Sequence, residues 1–383
     1  MNPPPEESAP FNGGPGPAGL GESRPPREMG DLHKGITMAQ IAKAAGVSQG
    51  AISSLLNDRD YGIRVSEKTR ERVFKVCREM GYIPNDLRAV VRMYPELGEY
   101  CLLIASTVTE GLGDPFVGRL TKAAMNAVGD PSHPLTLAIY DPAREYFGHP
   151  DDLPHPVRSG VASKFLFYGP LNLSLVQHIQ RRGLPVVSLG ADATMSGVVS
   201  LIPDYFAASR LAIEHLFKLG HKRIAIVSGP FGTSDAPTIE LHRGVKAVYD
   251  EYQIPIEAQN IVYGDLSYKA GAIALDNLLA LSAPPTAVFC LSDAAAAGVI
   301  SKAHAHGMQV PRDLSVIGCY DDFCAQLILP ALTTARIPAE QMAEQGIKLI
   351  ERLVREPLFT EPQRHILPVS LTERQSTGAP KES

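Results

Sequence analysis

From Glu99 onward the chain alternates short apolar runs with amphipathic helical stretches. The runs are YCLLIA, LTLAIY, KFLFYG, LPVVSLG, KRIAIVSG, TAVFCLS and LSVIGCY, and helices such as SRLAIEHLFKLG and AAGVISKAHAHG lie between them. A strand that is apolar on both faces has to be covered on both sides. Strand–helix alternation does this with parallel sheets flanked by helices. About 280 residues of this pattern exceed what one core usually holds, so two stacked α/β subdomains are expected.

The region before Glu99 has a different character. Residues 1–33 form a tail whose first thirty residues, MNPPPEESAPFNGGPGPAGLGESRPPREMG, are dominated by Pro and Gly with few large apolar side chains. Such a segment cannot bury enough surface to offset its ordering entropy, and disorder is expected. Helical periodicity begins at Ile36. In TMAQIAKAA, Met38, Ile41, Ala42 and Ala45 share one face. Thr37 with Gln40 three residues on is a capping-box start, and Gly46 is a stop. A second short helix follows Ser48, burying Ile52, Leu55 and Leu56. A third runs from Ser66 to Met80 and buries Val73, Val76, Cys77 and Met80 before Gly81.

Gly46-Val47-Ser48-Gln49-Gly50 also fits the G-x-S-x-G pattern of a hydrolase nucleophile elbow. An elbow needs a strand before its serine and a helix after it. A capped helix precedes Ser48, so the elbow is rejected. A helix-turn-helix explains more: Ala42 is small where two helices approach, Gly46 takes the positive φ of the turn, and Ile52 packs the second helix onto the first. Ser48 then caps the second helix and leaves N–H groups for a phosphate.

Charge agrees with that division. The chain carries a net −5, yet residues 31–92 hold eleven Lys/Arg against seven Asp/Glu, so a modestly basic module sits on an acidic body. The five cysteines form no C-x-x-C pair and suit reduced thiols in a cytosol; no metal site or cofactor is expected. No run approaches the roughly 18 apolar residues of a membrane span. A basic-then-apolar leader is missing, so a cytoplasmic, nucleoid-associated location is expected. No nucleophile, base and orienting group stand together, SGPFGTSD lacks the lysine of a phosphate loop, and His304 and His306 at i,i+2 face apart. An enzyme is not expected.

Taken together, ITMAQIAKAAGVSQGAISSLLN, VSEKTRERVFKVCREMGYIPN and the body pieces DPFVGRLTKAA, AIEHLFKLGHKRIAIVSGP, LSDAAAAGVISKAHAHGMQVPRDLSVIG, ALTTARIP and LTERQST resemble the LacI/GalR family of bacterial transcription regulators over residues 36–377. The resemblance implies a small all-α helix-turn-helix domain followed by an α/β periplasmic-binding-protein-like body of two parallel-sheet subdomains. The implied bounds are 34–83 for the helix-turn-helix and 84–97 for a hinge segment. Residues 98–196 plus 337–367 would form the N-terminal effector subdomain, and 197–336 plus 368–377 the C-terminal one.

The same resemblance places DNA contacts. Thr37 and Ser48 would meet phosphates from helix N-termini, while Gln49, Gly50, Ser53 and Ser54 lie on the reading helix with Asn57 at its end. Gln can pair in bidentate fashion with adenine; Gly50 and Ser54 replace larger readers, so base contacts look sparse. Arg59 and Arg64, in the longer DRDYGIR segment, together with Ser66, Thr69, Tyr82 and Asn85, complete the contact set. Val91 stands where the family usually has a leucine wedged into the minor groove.

In the effector cleft the candidates are Asp114, Phe116, Asp204, Ser292 and Tyr320. Ile239 falls where the family has an arginine, and a gapless alignment puts Tyr320 in place of a ligand-binding aspartate. Losing a charged fork and a carboxylate disfavours ordinary sugars and leaves a carbohydrate-derived or aromatic effector. The expected protein is thus a ligand-responsive regulator, most simply a repressor, acting as a homodimer on a near-palindromic double-stranded operator without membrane contact. A solute-binding or sensory protein without operator-specific regulation is the rival. Salt-dependent retention on heparin separates the two.

Overall fold

Thr37 opens the first helix as its side-chain oxygen accepts the Gln40 N–H and the Gln40 side chain accepts the Thr37 N–H, closing a capping box. The computed structural model describes residues 36–57, 65–82, 91, 93–94, 97–108, 113–129, 134–146, 150–232, 236–356 and 363–381. Three helices form the head: α1 (Met38–Ala45), α2 (Gln49–Asn57) and α3 (Glu67–Glu79). Gly46 turns the chain at φ 63°, as a left-handed turn requires. Ile41, Ala42, Ala45, Ile52, Leu56, Val73, Phe74 and Cys77 make the head core.

The body begins with β1 (Glu99–Ala105), α4 (Pro115–Val128), β2 (Leu135–Tyr140), α5 (His155–Ser159), β3 (Ala162–Tyr168), α6 (Leu173–Gln180), β4 (Val186–Leu189) and β5 (Val199–Pro203). Through α7 (Tyr205–Lys218) the chain enters a second unit: β6 (Ile224–Ser228), α8 (Ala236–Glu251), β7 (Ile261–Tyr263), α9 (Tyr268–Leu279), β8 (Ala287–Cys290), α10 (Asp293–Ala305), β9 (Ser315–Tyr320), α11 (Cys324–Leu327) and β10 (Thr333–Arg336). It returns by α12 (Ala339–Arg355) to β11 (Arg364–Leu367) and crosses once more to β12 (Ser370–Thr372).

One sheet runs β11-β5-β4-β3-β1-β2 and the other β12-β10-β9-β8-β6-β7. Every pairing is parallel except β10 with β12. Covered strands such as β1, β3, β6 and β8 read as continuous apolar runs because helices lie on both faces.

One expected bound shifts. The first crossing was placed at 196–197, but Ser200 and its neighbours pair with β4 and β11, so β5 belongs to the first sheet and the crossing follows Pro203. The run VSLIP is a buried strand and not the opening of the second unit. Three chain passages therefore join the subdomains, after Pro203, after Arg336 and after Leu367.

Candidate nucleic-acid interface and ligand cleft

On the head, Ser48 accepts the Ala51 N–H at 3.1 Å and caps α2. Ser48, Gln49 and Gly50 are exposed at this N-terminus, and Ser53 and Ser54 are half-buried one turn on. Asn57 closes α2. Ser66 caps α3 by accepting the Thr69 N–H, with the two hydroxyls 2.9 Å apart. Thr37 is exposed at the start of α1, so three helix N-termini carry hydroxyl caps. Such ends attract phosphate through free N–H groups and the helix dipole. Tyr82 is half-buried against the head core, and burial pushes its hydroxyl above the usual range. Arg59, Arg64, Asn85 and the tail 1–33 lie outside the described residues.

Val91, which the resemblance aligns with a minor-groove leucine, lies against the body in this structure. It is buried, with Cγ1 beside Gly98, which also abuts Ser163 of β3. Two residues on, Met93 fills the head core, and its carbonyl accepts from Arg78 Nη1 at 3.0 Å. Arg70 of α3 donates to the Arg181 carbonyl at 3.0 Å. An apolar side chain gains more by burial than by exposure to water, which accounts for the seat of Val91.

In the body, Asp114 caps α4 by accepting the Phe116 and Val117 N–H groups at 2.9 and 3.3 Å. The cap sets Phe116 against Tyr168 at the end of β3, rings stacked 5.5 Å apart. Tyr320, at the end of β9, meets Phe116 edge-on at 5.4 Å from the opposite subdomain. Asp114, Phe116 and Tyr320 are thus brought together. Asp204 and Ser292 are occupied in capping: Asp204 accepts the Ala207 N–H, and Ser292 accepts the Ala295 N–H while donating to the Leu266 carbonyl. Ile239 is exposed on α8.

Three residues of this site were missed in sequence. Arg119 of α4 crosses to the second subdomain, donating to the carbonyls of Tyr320 and Asp321, both at 2.9 Å, and pairing with Glu340 through two bonds of 3.0 Å. Tyr168 supplies the third ring. The third is Asp322, which corrects the expectation that no carboxylate remains where Tyr320 stands. Tyr320 and Asp321 take φ values of 102° and 55°, so the backbone makes two successive left-handed steps as it leaves β9. Asp321 then turns inward to Arg374 and Arg336, at 2.7 and 3.4 Å. Asp322 lies 3.6 Å from Arg119, beyond hydrogen-bond reach. Its signal in the sequence was the Asp321-Asp322 doublet.

Burial, then the nearby charge of Asp114, pushes the Asp322 carboxyl up to about 7, against the pull of Arg119. Asp293, wholly buried at the start of α10, accepts from Thr334 and from the Asp322 N–H, and burial raises it well above its ordinary value. Glu340 is held down to about 2, first by its bonds to Arg119.

A capped three-helix head joined to two parallel-sheet subdomains that enclose a polar-aromatic cleft defines a DNA-binding regulator with a ligand-binding body. Comparison with known proteins agrees. Residues 37–85 match the bacterial regulatory proteins, lacI family, and residues 213–377 match the periplasmic binding protein-like domain. The chain belongs to the lacI family and is a transcription regulator of that type. It is 28% identical to the probable HTH-type transcriptional repressor ExuR of Bacillus subtilis, over 84% of this chain and 92% of the relative. To the HTH-type transcriptional repressor CytR of Escherichia coli it is 29% identical, over 82% and 88%. Among solved structures, the lac repressor dimer bound to operator and the anti-inducer ONPF has the same fold, with a TM-score of 0.61, 23% identity and 90% and 100% coverage. The CelR–cellobiose complex gives a TM-score of 0.60 at 24% identity, covering 89% of this chain and 99% of that one. No described helix is long and apolar enough to cross a membrane.

Proposed function

We propose that the chain binds a near-palindromic operator as a homodimer, and that a small molecule other than a simple monosaccharide controls binding from the cleft. The exposed, Ser48-capped start of α2 carries the DNA part of this reading. Gln49 is the side chain there with a donor and an acceptor for one base edge. One short reading helix gives few contacts, and two-fold symmetry doubles them.

Two uncovered apolar surfaces support the dimer. On the first subdomain, Met125 of α4 and Leu137 and Ile139 of the edge strand β2 are exposed, beside a groove lined by Val117, Gly118 and Thr121. On the second, Phe323, Leu327 and Leu329 are exposed around α11. Apolar patches of this kind mark association surfaces.

For the effector, the support is that Ile239 offers no charged fork and that the ring of Tyr320 packs on Phe116. Three measurements test the reading. Sedimentation should give a dimer that Ile139→Glu with Leu329→Glu splits. Operator anisotropy should fall steeply with salt, and far more weakly bound half-sites should accompany it. Calorimetry against a monosaccharide panel should show no micromolar binder. A monomer that binds operator fully, or one hexose bound at micromolar affinity, rejects the corresponding part.

A further inference from the structure

Resting on the reading of the cleft as the effector site, we propose that its ligand carries a protonated nitrogen beside an aromatic or apolar body, with Asp322 as the counter-charge and Tyr168 and Tyr320 as the facing rings.

The first observation is the state of Asp322. Its Oδ1 is buried and has no hydrogen-bond partner. Its one nearby cation is Arg119, 3.6 Å away, whose hydrogen bonds go to other groups. Arg119 serves Glu340 and the carbonyls of Tyr320, Asp321 and Ile337. Arg336 and Arg374 serve Asp321. Burial keeps Asp293 neutral, so Asp114, Asp321, Glu340 and an ionised Asp322 face the guanidinium groups of Arg119, Arg336 and Arg374, and ionising Asp322 leaves one negative charge in excess at this end of the cleft. A water molecule can satisfy a hydrogen-bonding oxygen but not that excess of charge. A cation does both.

The second observation is independent of the first. Phe116 and Tyr168 come from one subdomain and Tyr320 from the other, at centroid distances of 5.5 and 5.4 Å. Phe116 is buried, with Arg119 over its ring, while Tyr168 and Tyr320 are half-buried. A ligand between the subdomains therefore meets the two tyrosine rings, which attract a cation and stack on an aromatic body.

The proposal carries its own pH signature. A cation binds the ionised Asp322, whose carboxyl stands up to about 7. Binding therefore releases a proton, and affinity rises with pH. The other groups facing Asp322 are Asp114 and Arg119 of α4, Asp293 of α10, Asp321 beside it, and the thiols of Cys319 and Cys324, which burial keeps neutral.

The test is calorimetry on the full chain with phenethylamine, tyramine and spermidine, each set beside 2-phenylethanol and 3-phenylpropionate, at pH 6, 7 and 8. The expected result is binding of an aromatic amine but of neither isostere, tightening about tenfold from pH 6 to pH 8. Asp322→Asn abolishes this binding while its circular dichroism spectrum stays that of the folded wild type. Failure of every amine, or amine binding indifferent to Asp322→Asn, overturns the cation assignment. If the neutral or acidic isostere binds instead and Tyr320→Ala abolishes it, the cleft stands as the effector site and only the ligand class falls. If amine binding survives both Asp322→Asn and Tyr320→Ala, both readings fall.

Discussion

Arg119 and Tyr320 belong to opposite subdomains, and the guanidinium of one donates to the carbonyl oxygen of the other at 2.9 Å. The same side chain holds Asp321, Ile337 and Glu340, so a single residue of α4 ties the exit of β9 to the passage into α12. Closing the cleft and fixing the chain passage are thereby one event. In a ligand-responsive body the two arrangements of such a joint are what a ligand selects between.

Arg119→Met keeps the stem and removes these bonds. Carbonyls left without a donor cost about 1–3 kcal/mol in total, since nearby solvent recovers part of the loss. The dependence on pH has a definite sign. Arg119 holds Glu340 down to about 2, below its ordinary value, so its stabilisation is present above that ordinary value and fades as pH falls through 2. Denaturant unfolding should show the largest deficit of Arg119→Met above pH 5 and convergence with wild type in acid. An equal deficit at pH 2.5 and pH 7 would show that Glu340 takes no part.

On the head, Gln49→Ala should weaken operator binding by roughly 1–3 kcal/mol and relax preference at one position, on the proposal that Gln49 reads a base. Thr37→Ala should weaken all sequences alike, because its hydroxyl caps α1 and its proposed contact is to a phosphate. Binding of an operator library by both variants checks this. Equal loss of preference from both rejects the division of roles.

How much of this was legible in the sequence depended on whether the signal was local. The head was readable because its devices sit within four residues of each other: Thr37 with Gln40, the φ-positive Gly46, and Ser48 with Ala51. Central strands were readable as apolar runs. β5 was assigned to the wrong unit because its partner β11 lies more than 150 residues on, and only pairing reveals which sheet takes it. β7 is an apolar run of only three residues, Ile261–Tyr263, and β12 has no apolar run, so neither stands out in the sequence. In the cleft, the cap Asp114 and the rings of Phe116 and Tyr320 were found, but Arg119 and Asp322 were not. Their roles arise from contacts across two subdomains and from two left-handed residues that displace the strand end, neither of which a gapless alignment contains.

Gly98 is packed between Val91 and Ser163 of β3. A Cβ there would lie 2.3 Å from Ser163 Oγ and 2.9 Å from Val91 Cγ1, closer than real side chains approach. Gly98→Ala should therefore unseat Val91. If that residue has to leave its seat to reach a groove, unseating it in advance lowers the cost of binding, and operator affinity should rise a few-fold. Limited proteolysis should cut the 83–96 segment faster at the same time. Faster cleavage with weaker operator binding would mean that the seat holds the head in its binding posture.

Asp322 also makes a prediction that needs no ligand. Its carboxyl is pushed from an ordinary 3.8 up to about 7 by burial and by the charge of Asp114. The folded chain then holds a proton that the unfolded chain releases between those values. Stability from this group is therefore fully present below the ordinary value and is lost as pH rises through about 7. Asparagine keeps the shape and cannot ionise. Asp322→Asn should match wild type near pH 4 and exceed it by on the order of 2 kcal/mol at pH 8. Asp293, raised by the same burial and partly by Asp322 itself, titrates in both proteins and leaves a residual slope in the variant. Urea unfolding of the two proteins at half-unit steps from pH 4 to pH 8 measures the difference. A variant that is less stable than wild type at pH 8 would mean that the Arg119 contact at 3.6 Å outweighs the burial of the charge, and that Asp322 is ionised and satisfied without a ligand.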